Sequence, residues 1–443
     1  MAWAVGAAAL SGCAPPADRD IAEMVGRVDR ERVRRTMTTL AGFGTRHTMS
    51  DPRGETRGIG AARRWIQAEF ERISADNGGR LRVELDSFLH QPDGHRITRP
   101  TEIVNVVATL PGSQPASRDR HYVVSGHYDS ICNDPTDPDC DAPGANDDAS
   151  GVAVVLELAR LMCRHEFDAT LVFMAVAGEE QGLIGSRHWA RRARERGLNV
   201  AGMFTNDIVG SSVGPSGVSH ARRVRVFSEG VPTTETPEEA KVRQSTGAES
   251  DAPARQLARY VRECAGQYLP GFDVALIFRR DRFLRGGDHT SFSEQGYAAI
   301  RFTEYEEHYD HQHQTPRIEG GREYGDLLKF CDFDYTADVA RANLAALANL
   351  ARAPAAPTDV RILTARLTND TTLRWKANVE PDLAGYEVVW RDTTAPLWQH
   401  GRRVGLATEA TLPMSKDNVI FGVRAIDAEG HHSPVSPPRP ARE

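Results

Sequence analysis

The chain has 443 residues, of which 40% are hydrophobic and 26% charged, the composition of an ordinary globular protein. At about 100–200 residues per domain, this length predicts two to four domains. The 54 basic and 61 acidic side chains give a net charge of −7, so composition provides no basic footprint for nucleic acid. No run of about 20 apolar residues is present to cross a bilayer. Disordered chains and polytopic membrane proteins are therefore excluded.

The N-terminus resembles a bacterial lipoprotein signal. A short run of small and apolar residues, 1–9, leads into Leu10-Ser11-Gly12-Cys13. Residues 1–13 are predicted to be a signal peptide whose lipid-acceptor Cys13 begins the mature chain. The protein would then be exported and lipid-anchored to the cell envelope, facing the periplasm or the cell exterior. The apolar run is short and lacks a positive start, so an apolar N-terminus holding one cysteine by chance is the alternative.

Export bears on the remaining cysteines. Cys132 and Cys140 flank a short loop rich in Asp and Pro, and in an oxidising compartment this spacing favours a local disulfide. The acidic segment Asp134–Asp141 between them is interpreted as a solvated loop rather than a Ca²⁺ site, because Ca²⁺ needs many oxygen ligands. Cys163 lies in an apolar helical pattern and is predicted to be buried.

Residues 20–40 and 57–74 have the apolar period of amphipathic helices. From residue 81, short apolar runs typical of strands alternate with helical patterns, and residues 213–252 are interpreted as loops around one strand. A closing helix is predicted over 327–352. The alternation predicts an α/β fold. The strand runs are Leu81–Leu85, Ile103–Leu110, Tyr122–Ser125, Thr170–Val176 and Val224–Phe227, and the helical patterns between them include Val152–Met162 and Ala254–Tyr268.

The composition changes at residues 353–357, a Pro/Ala linker that separates a predicted catalytic domain, residues 20–352, from residues 358–443. Beyond the linker, short strand runs separated by turn residues predict a small β-sandwich. This segment resembles a fibronectin type III module with Trp375 as its core tryptophan. It contains no catalytic cluster, and it would serve in binding, spacing or surface attachment.

Side chains able to bind metal recur where predicted strands end or helices begin, which is where open α/β sheets place their sites. Adjacent carboxylates such as Glu179 and Glu180 repel each other unless a cation neutralises one of them. Each group alone is more often a solvated turn or a helix cap, and their co-occurrence in order is what predicts a Zn²⁺ site. The residues are His127, Asp129, Asp147, Glu179, Glu180, Asp207, His311 and His313.

In these motifs, residues 35–352 resemble the zinc exopeptidase family of bacterial leucyl aminopeptidases, whose catalytic domain also underlies glutaminyl cyclase and glutamate carboxypeptidase. The order His-x-Asp, Gly-x-x-Asp-Asp-x-Ser-Gly, Gly-Glu-Glu-x-Gly, Asp-x-x-Gly, Gly-Asp-His-x-x-Phe and a late His carries the resemblance, with Phe43-Gly44-Thr45-Arg46 upstream. It implies a central mixed, mostly parallel sheet sandwiched by helices.

The resemblance also implies two Zn²⁺ ions per chain and a role for each residue. His127 and Asp207 would bind one ion, Glu180 and a late His the other, and Asp147 would bridge them. Glu179 would be the general base and Asp129 would orient His127. Asp288 and His289 would lie near the metals without binding them.

Two positions depart from the family pattern. The late His of the family is followed four residues on by an acidic residue, but here His311 is followed by Thr315 and His313 by Arg317. His311 is preferred because Thr replaces Asp more plausibly than Arg does. A Tyr that stabilises the oxyanion in some members is Leu284 here, so this role passes to Arg285, Tyr309 or the metals.

The implied activity is that of an aminopeptidase acting on peptides with a free N-terminus. A glutaminyl cyclase with one Zn²⁺, a carboxypeptidase and a non-catalytic binding relative are the alternatives on the same fold. A further alternative is that the C-terminal β module defines the function.

Overall fold

The computed structural model describes residues 17–443 and divides into two compact units. The larger unit comprises Arg19–Thr236 and Ala252–Ala351, and the smaller unit comprises Pro237–Asp251, Arg352–Glu443 and the described residues up to Asp18. The predicted signal peptide, residues 1–13 with Cys13, lies outside the described residues. The boundary predicted at 353–357 stays a prediction.

The larger unit is built on one eight-stranded sheet. Its order is β1-β2-β4-β3-β5-β8-β6-β7, with parallel pairing of β4 with β3, β3 with β5, β5 with β8 and β6 with β7. The other three pairs are antiparallel. The mixed, mostly parallel sheet is therefore confirmed. The strands are β1 Arg82–His90, β2 Thr101–Leu110, β3 Arg120–His127, β4 Thr170–Val176, β5 Asn199–Asn206, β6 Arg223–Ser228, β7 Asp273–Ile277 and β8 Ala299–Glu304.

Apolar content explains the strand positions in this sheet. Strand β4 is buried along its whole length, whereas most residues of β1 are exposed or half-buried, which suits an edge strand. Two further short strands, β9 Arg317–Glu319 and β10 Arg322–Tyr324, form a separate hairpin. The centre of the sheet, where parallel strands are flanked by helices, is thus the most apolar part of the unit.

Helices cover the sheet. In α4 every residue except Arg160 is buried, and α9 is buried over most of its length. The helices are α1 Arg19–Gly26, α2 Arg30–Gly42, α3 Ile59–Ala75, α4 Ala149–Met162, α5 Ile184–Glu195, α6 Pro237–Thr246, α7 Pro253–Tyr268, α8 Asp288–Ser293 and α9 Phe333–Arg352. Of these, α6 belongs to the smaller unit.

Two predicted segments differ from the structure. The stretch 20–40 contains two helices, because Asp29 caps the second one by accepting a hydrogen bond from the Glu31 amide. The stretch 213–252, predicted to hold one strand, also contains α6. This helix buries none of its residues, so its sequence lacks the apolar period from which the other helices were predicted.

The rest of the smaller unit consists of two sheets. One has the order β15-β12-β11-β17 and the other β14-β13-β16. Residues of both sheets share one apolar core, which includes Leu373, Trp375, Val388 and Val423. The likeness to fibronectin type III stays a prediction. The strands are β11 Thr358–Leu363, β12 Thr371–Lys376, β13 Leu383–Asp392, β14 His400–Gly405, β15 Glu409–Leu412, β16 Val419–Asp427 and β17 Arg439–Ala441.

The cysteine and membrane predictions can be examined over residues 17–443. Cys132 and Cys140 form a disulfide, which confirms the predicted pairing. Cys163 is buried and free. Among the described helices, none has the length and apolar character needed to span a bilayer.

Candidate metal centre

The candidate site lies where the central parallel strands end. His127 is the last residue of β3, Glu180 follows β4, Asp207 follows β5, and Asp147 lies just before α4. Parallel strands bring their carboxyl ends to the same edge of a sheet, so residues far apart in sequence meet there. All four side chains are buried. The topology therefore concentrates three carboxylates and an imidazole in one place.

These side chains form two clusters that share Asp147. In the first cluster, His127 Nε2 lies 3.0 Å from Asp147 Oδ1 and 3.9 Å from Asp207 Oδ1. In the second cluster, His313 Nε2 lies 2.9 Å from Asp147 Oδ2 and 3.1 Å from Glu180 Oε1. Each oxygen of Asp147 thus faces a different imidazole. This is the arrangement that a carboxylate bridging two cations requires.

Atoms without partners indicate that the second cluster is built for a cation. Among the described residues, Glu180 Oε1 and His313 Nε2 are buried and make no hydrogen bond that meets geometric criteria. Ligand atoms of His127, Asp147 and Glu180 lie within 4.8 Å of one another. Buried polar atoms are costly when unsatisfied, and a metal ion would satisfy all of them. Imidazole and carboxylate are also the donors that Zn²⁺ accepts.

The structure places His313, and not the preferred His311, at the centre. The His311 ring is stacked between His308, at 3.8 Å between centroids, and Phe330, at 3.7 Å. His313 has φ +55°, a left-handed conformation that is uncommon for non-glycine residues. His311 was preferred because Thr315, four positions after it, replaces an acidic residue more plausibly than Arg317 does. That comparison gives no information on the backbone conformation at His313. His313, rather than His311, is therefore the late histidine close to the other proposed ligands.

Glu179, the predicted base, is half-buried beside its buried neighbour Glu180. Burial raises the pKa of Glu179 well above its usual value, and the carboxylates of Asp207, Glu180 and Asp288 add to this, whereas His127 lowers it. A bound cation would act in the same direction as His127. Glu179 is thus a partly exposed residue directly beside the proposed ligand Glu180.

Asp129 contacts His127 and also the turn that carries Glu179 and Glu180. Its carboxylate accepts hydrogen bonds from the amides of Glu179, at 3.3 Å, and Glu180, at 3.1 Å. His127 Nδ1 lies 3.1 Å from the main-chain oxygen of Asp129 and 3.6 Å from its carboxylate. Asp129 therefore fixes the turn after β4 with its side chain and meets His127 chiefly through its carbonyl group.

The two residues predicted to lie near the metals are buried close to the site. Both carboxylate oxygens of Asp288 lie among the buried atoms without a geometric hydrogen bond, and burial raises the pKa of Asp288 to about 7. His289 Nε2 lies 3.0 Å from the carbonyl oxygen of Arg280 and 3.5 Å from Asp281 Oδ2. The distances thus connect His289 to Asp281, a residue that the sequence analysis did not select.

The residues considered for stabilising an oxyanion have different environments. Tyr309 is 62% exposed. Leu284, at the position where some family members have the tyrosine, is fully exposed. Arg285 pairs with Glu307 at 3.2 Å and approaches Gln312, which donates a hydrogen bond to Asp147 Oδ2. Of the two candidate side chains, Arg285 and Tyr309, Arg285 is connected through Gln312 to Asp147, a proposed metal ligand.

Sequence reasoning assigned no role to two residues that hold the site together, Asp148 and Asp326. Asp148 accepts hydrogen bonds from the amides of His127, Gly151 and Ile208, so one side chain joins three segments that carry the site. Asp326 accepts from the amides of Asn146 and Asp147. Burial raises the pKa of Asp326 to about 7. Asp148 stood beside a predicted ligand and was detectable, whereas nothing local marked Asp326.

Arg46 belongs to the upstream signature Phe43-Gly44-Thr45-Arg46. It is fully buried and donates hydrogen bonds to the carbonyl oxygens of Tyr128, Leu40, Gly144 and Pro143. Burial lowers its pKa to about 10, which leaves the guanidinium charged at neutral pH. The signature therefore marks a side chain that ties together the loops on either side of the metal-binding residues.

Comparison with known proteins identifies the family. A protein of Leptosphaeria maculans named "Probable zinc metalloprotease" is 47% identical over 426 residues, which is 96% of this chain and 98% of that one. A relative of the same name from Pyricularia oryzae is 48% identical over 429 residues, which is 96% of this chain and 85% of that one. Residues 105–317 match the sequence profile of peptidase family M28. The chain belongs to peptidase family M28.

Solved structures of this fold agree. LapB from Legionella pneumophila superposes with a TM-score of 0.54 at 17% identity, covering 75% of each chain. An aminopeptidase from Aneurinibacillus sp. strain AM-1 gives a TM-score of 0.51 at 17% identity, covering 75% of this chain and 96% of that one. A glutaminyl cyclase of Porphyromonas gingivalis gives 0.50 at 16% identity, covering 72% and 97%. The expected fold and family are thus confirmed, and this M28 chain is a zinc metallopeptidase.

Proposed function

We propose that this M28 peptidase is an aminopeptidase with two zinc ions per chain, which removes residues from the free N-terminus of peptides. The observation that carries the proposal is the position of Asp147. One of its oxygens lies 3.0 Å from His127 and the other 2.9 Å from His313. This carboxylate would bind one ion with each of its oxygens. His127 and Asp207 would complete the first position, and Glu180 and His313 the second.

When bound, two zinc ions lower the pKa of a water molecule and polarise the scissile carbonyl group. The rest of the chemistry falls to side chains of this protein. Glu179 takes a proton from the attacking water and later delivers it to the departing amine. Asp129 holds the amide of Glu179 and so fixes the carboxylate at the end of β4. Asp148 and Asp326 hold the main chain around His127 and Asp147.

Selectivity for the N-terminus is supported by fold alone. The aminopeptidase from Aneurinibacillus has the same fold over 96% of its length, but so does the glutaminyl cyclase over 97% of its own. The two activities differ in metal content and product. A cyclase of this fold is expected to use one zinc ion and to release ammonia from an N-terminal Gln.

One experiment separates these activities. The zinc content of the purified full-length chain is measured, and the same sample is assayed on one peptide with a free N-terminus, its N-acetylated form, its C-terminal amide and a peptide that begins with Gln. Two zinc ions, release of the first residue, and loss of activity on acetylation are expected. Sensitivity to the C-terminal amide instead would indicate a carboxypeptidase, ammonia release with one ion would indicate a cyclase, and inactivity on every peptide would reject the proposal.

We further propose that the protein is exported and lipid-anchored through Cys13, with no other contact with the membrane. The small residues before Cys13 and the disulfide between Cys132 and Cys140 support export, since such disulfides persist in oxidising compartments. The Cys13→Ser variant is expected to move from the membrane fraction to the soluble fraction. Mass spectrometry should find a lipid on Cys13 of the wild-type protein, and an unmodified Met1 terminus would contradict the proposal.

A further inference from the structure

A fully buried arginine lies directly behind one of the two cation positions. Arg301, inside strand β8, has an exposed fraction of 0%. Its Nη2 lies 2.8 Å from Asp207 Oδ1, and its Nη1 lies 3.3 Å from Asp281 Oδ2. Nη1 also donates a 2.7 Å hydrogen bond to the carbonyl oxygen of Gly286. The guanidinium is therefore held between two carboxylates, one of them a proposed zinc ligand.

The same Asp207 oxygen serves the first cation position. Oδ1 lies 3.9 Å from Nε2 of His127, the other proposed ligand particular to this position. A divalent ion bound there would share this oxygen with a permanent positive charge only a few atoms away. In a buried site two like charges at such separations repel strongly, because little solvent screens them.

At the second cation position, no arginine in the part of the chain that the structure describes forms an ion pair with Glu180. The carboxylate of Glu180 forms its one ion pair among the described residues with His313, an imidazole that can lose its proton. Arg96 donates to the main-chain oxygen of Glu180, but Arg96 is partly exposed and its interaction is with the carbonyl group. The two positions therefore have similar ligands but different charges around them.

We propose that the buried charge of Arg301, held against Asp207, makes the His127–Asp147–Asp207 position the weaker of the two for a divalent cation. This inference rests on the two-metal centre of the proposed function. Asp281 takes part because it holds Arg301 and partly balances its charge. The amide of Arg282 donates a 2.6 Å hydrogen bond to Asp281 Oδ1, which keeps that carboxylate in place.

A purely structural role predicts the opposite effect. Groups that only orient a metal ligand usually cost about 10–100-fold in metal affinity when they are removed. If charge dominates, neutralising Arg301 tightens binding at the first position, whereas a lysine at the same place keeps the charge and leaves binding weak. The sign of the change in affinity therefore distinguishes the two roles.

The test is a calorimetric titration of the metal-free full-length protein with Zn²⁺, repeated with Co²⁺. Wild type is expected to bind two equivalents in two resolved steps. Arg301→Gln should tighten the weaker step by about tenfold or more. Arg301→Lys should keep the two steps apart. Arg160→Gln, which removes an arginine that pairs with Glu157 at the far end of α4, should behave as wild type.

Each result decides one question. If wild type binds a single equivalent, the two-metal centre itself fails. If wild type binds two equivalents in one unresolved step, or if Arg301→Gln weakens or leaves unchanged the weaker step, the role of Arg301 is overturned and the two-metal centre stands. Thermal unfolding of each metal-free variant shows whether it is folded.

A second variant covers the case in which Arg301→Gln does not fold. Asp281→Asn keeps the guanidinium and removes its counter-charge, so the weaker step should weaken further by several-fold. An unchanged or tighter weaker step in Asp281→Asn would contradict the proposal.

Discussion

Two clusters in this chain combine a histidine with carboxylates, but they differ in their hydrogen bonding. One is the metal centre around Asp147. The other, in the smaller unit, places Asp18, Glu429 and His431 close enough to hold an ion. In the second cluster His431 Nδ1 lies 2.8 Å from Asp427 and Nε2 lies 3.2 Å from Asp18. Both nitrogens of this imidazole are therefore satisfied by protein.

The hydrogen bonding of the two clusters separates a candidate ion site from a structural turn. At the metal centre, Glu180 and His313 face each other without a geometric hydrogen bond. In the second cluster, Asp427 also accepts the amides of Glu429, Gly430 and His431, so the group closes a turn. Buried polar atoms without protein partners indicate a site that can bind an ion, whereas atoms paired within the protein indicate a structural role. The variants below test that contrast.

The largest effect is expected for Asp147→Ala, because this carboxylate contacts both imidazoles of the metal centre. Zinc content should fall from two ions per chain towards zero, and peptide release should be lost. Asp427→Ala, in the other cluster, should leave zinc content and turnover unchanged. Metal analysis and a peptide-release assay on both variants test this difference. Equal zinc content in wild type and Asp147→Ala would contradict the role of Asp147 as a zinc ligand.

Glu179→Ala should separate chemistry from metal binding. The variant should keep two zinc ions and lose about 10²–10⁴-fold in turnover, the usual contribution of a general base. Glu179→Gln should lose a similar amount, since it keeps the volume and removes the basic oxygen. Turnover is measured at matched zinc content. Full activity in either variant would refute the role of Glu179 as the base.

His313→Ala and His311→Ala test which imidazole belongs to the centre. Loss of His313 should remove one of the two zinc ions at low free zinc, because the second position loses a ligand. Loss of His311 should leave both ions in place and cost stability through the stacking with His308 and Phe330. Zinc analysis after dialysis against a weak chelator distinguishes them, and the reverse pattern would restore His311 as the ligand.

The smallest effect is expected in the smaller unit, at His431. Burial by itself lowers the pKa of His431, but Asp427 and Asp18 raise it above 6.5 overall. The protonated imidazole therefore stabilises the fold below pH 6.5, and this contribution is lost as pH rises through the higher folded pKa.

His431→Gln should accordingly lower the free energy of unfolding by about 1–3 kcal/mol at pH 6 and by less at pH 9. Urea unfolding of the full chain at the two values measures this, with the exposed His95→Gln as the control. A deficit that grows with pH would contradict the assignment, and zinc content should be the same as in wild type throughout.

Much of the site could be predicted because its residues lie at boundaries that the sequence marks. His127, Glu180 and Asp207 each follow an apolar strand, and the parallel order of β4, β3 and β5 then brings them together. The family resemblance added roles that periodicity alone does not supply. The fold class could also be predicted, because alternating strands and helices leave few possible arrangements of a buried sheet, and the structure confirms it.

What escaped prediction depends on three-dimensional contacts. Asp326 lies 179 positions from Asp147 and holds its amide, and no local pattern links them. Arg301 lies in β8, a strand that was not predicted from the sequence, and its fully buried side chain pairs with Asp207. The residues four positions after His311 and His313 could not show that the His313 ring lies beside Asp147 and Glu180, whereas the His311 ring stacks on His308 and Phe330.

The segment Pro237–Asp251 falls within the peptidase sequence but belongs to the smaller unit, where Asp251 forms a buried 2.8 Å ion pair with Arg391. The polypeptide thus passes between the two units four times, and no single cut separates them. Removing residues 354–443 would remove Arg391 and with it this ion pair. A stand-alone peptidase would have to be engineered by replacing residues 237–251 with a short linker as well. The smaller unit therefore includes a segment from within the peptidase sequence as well as the C-terminal residues.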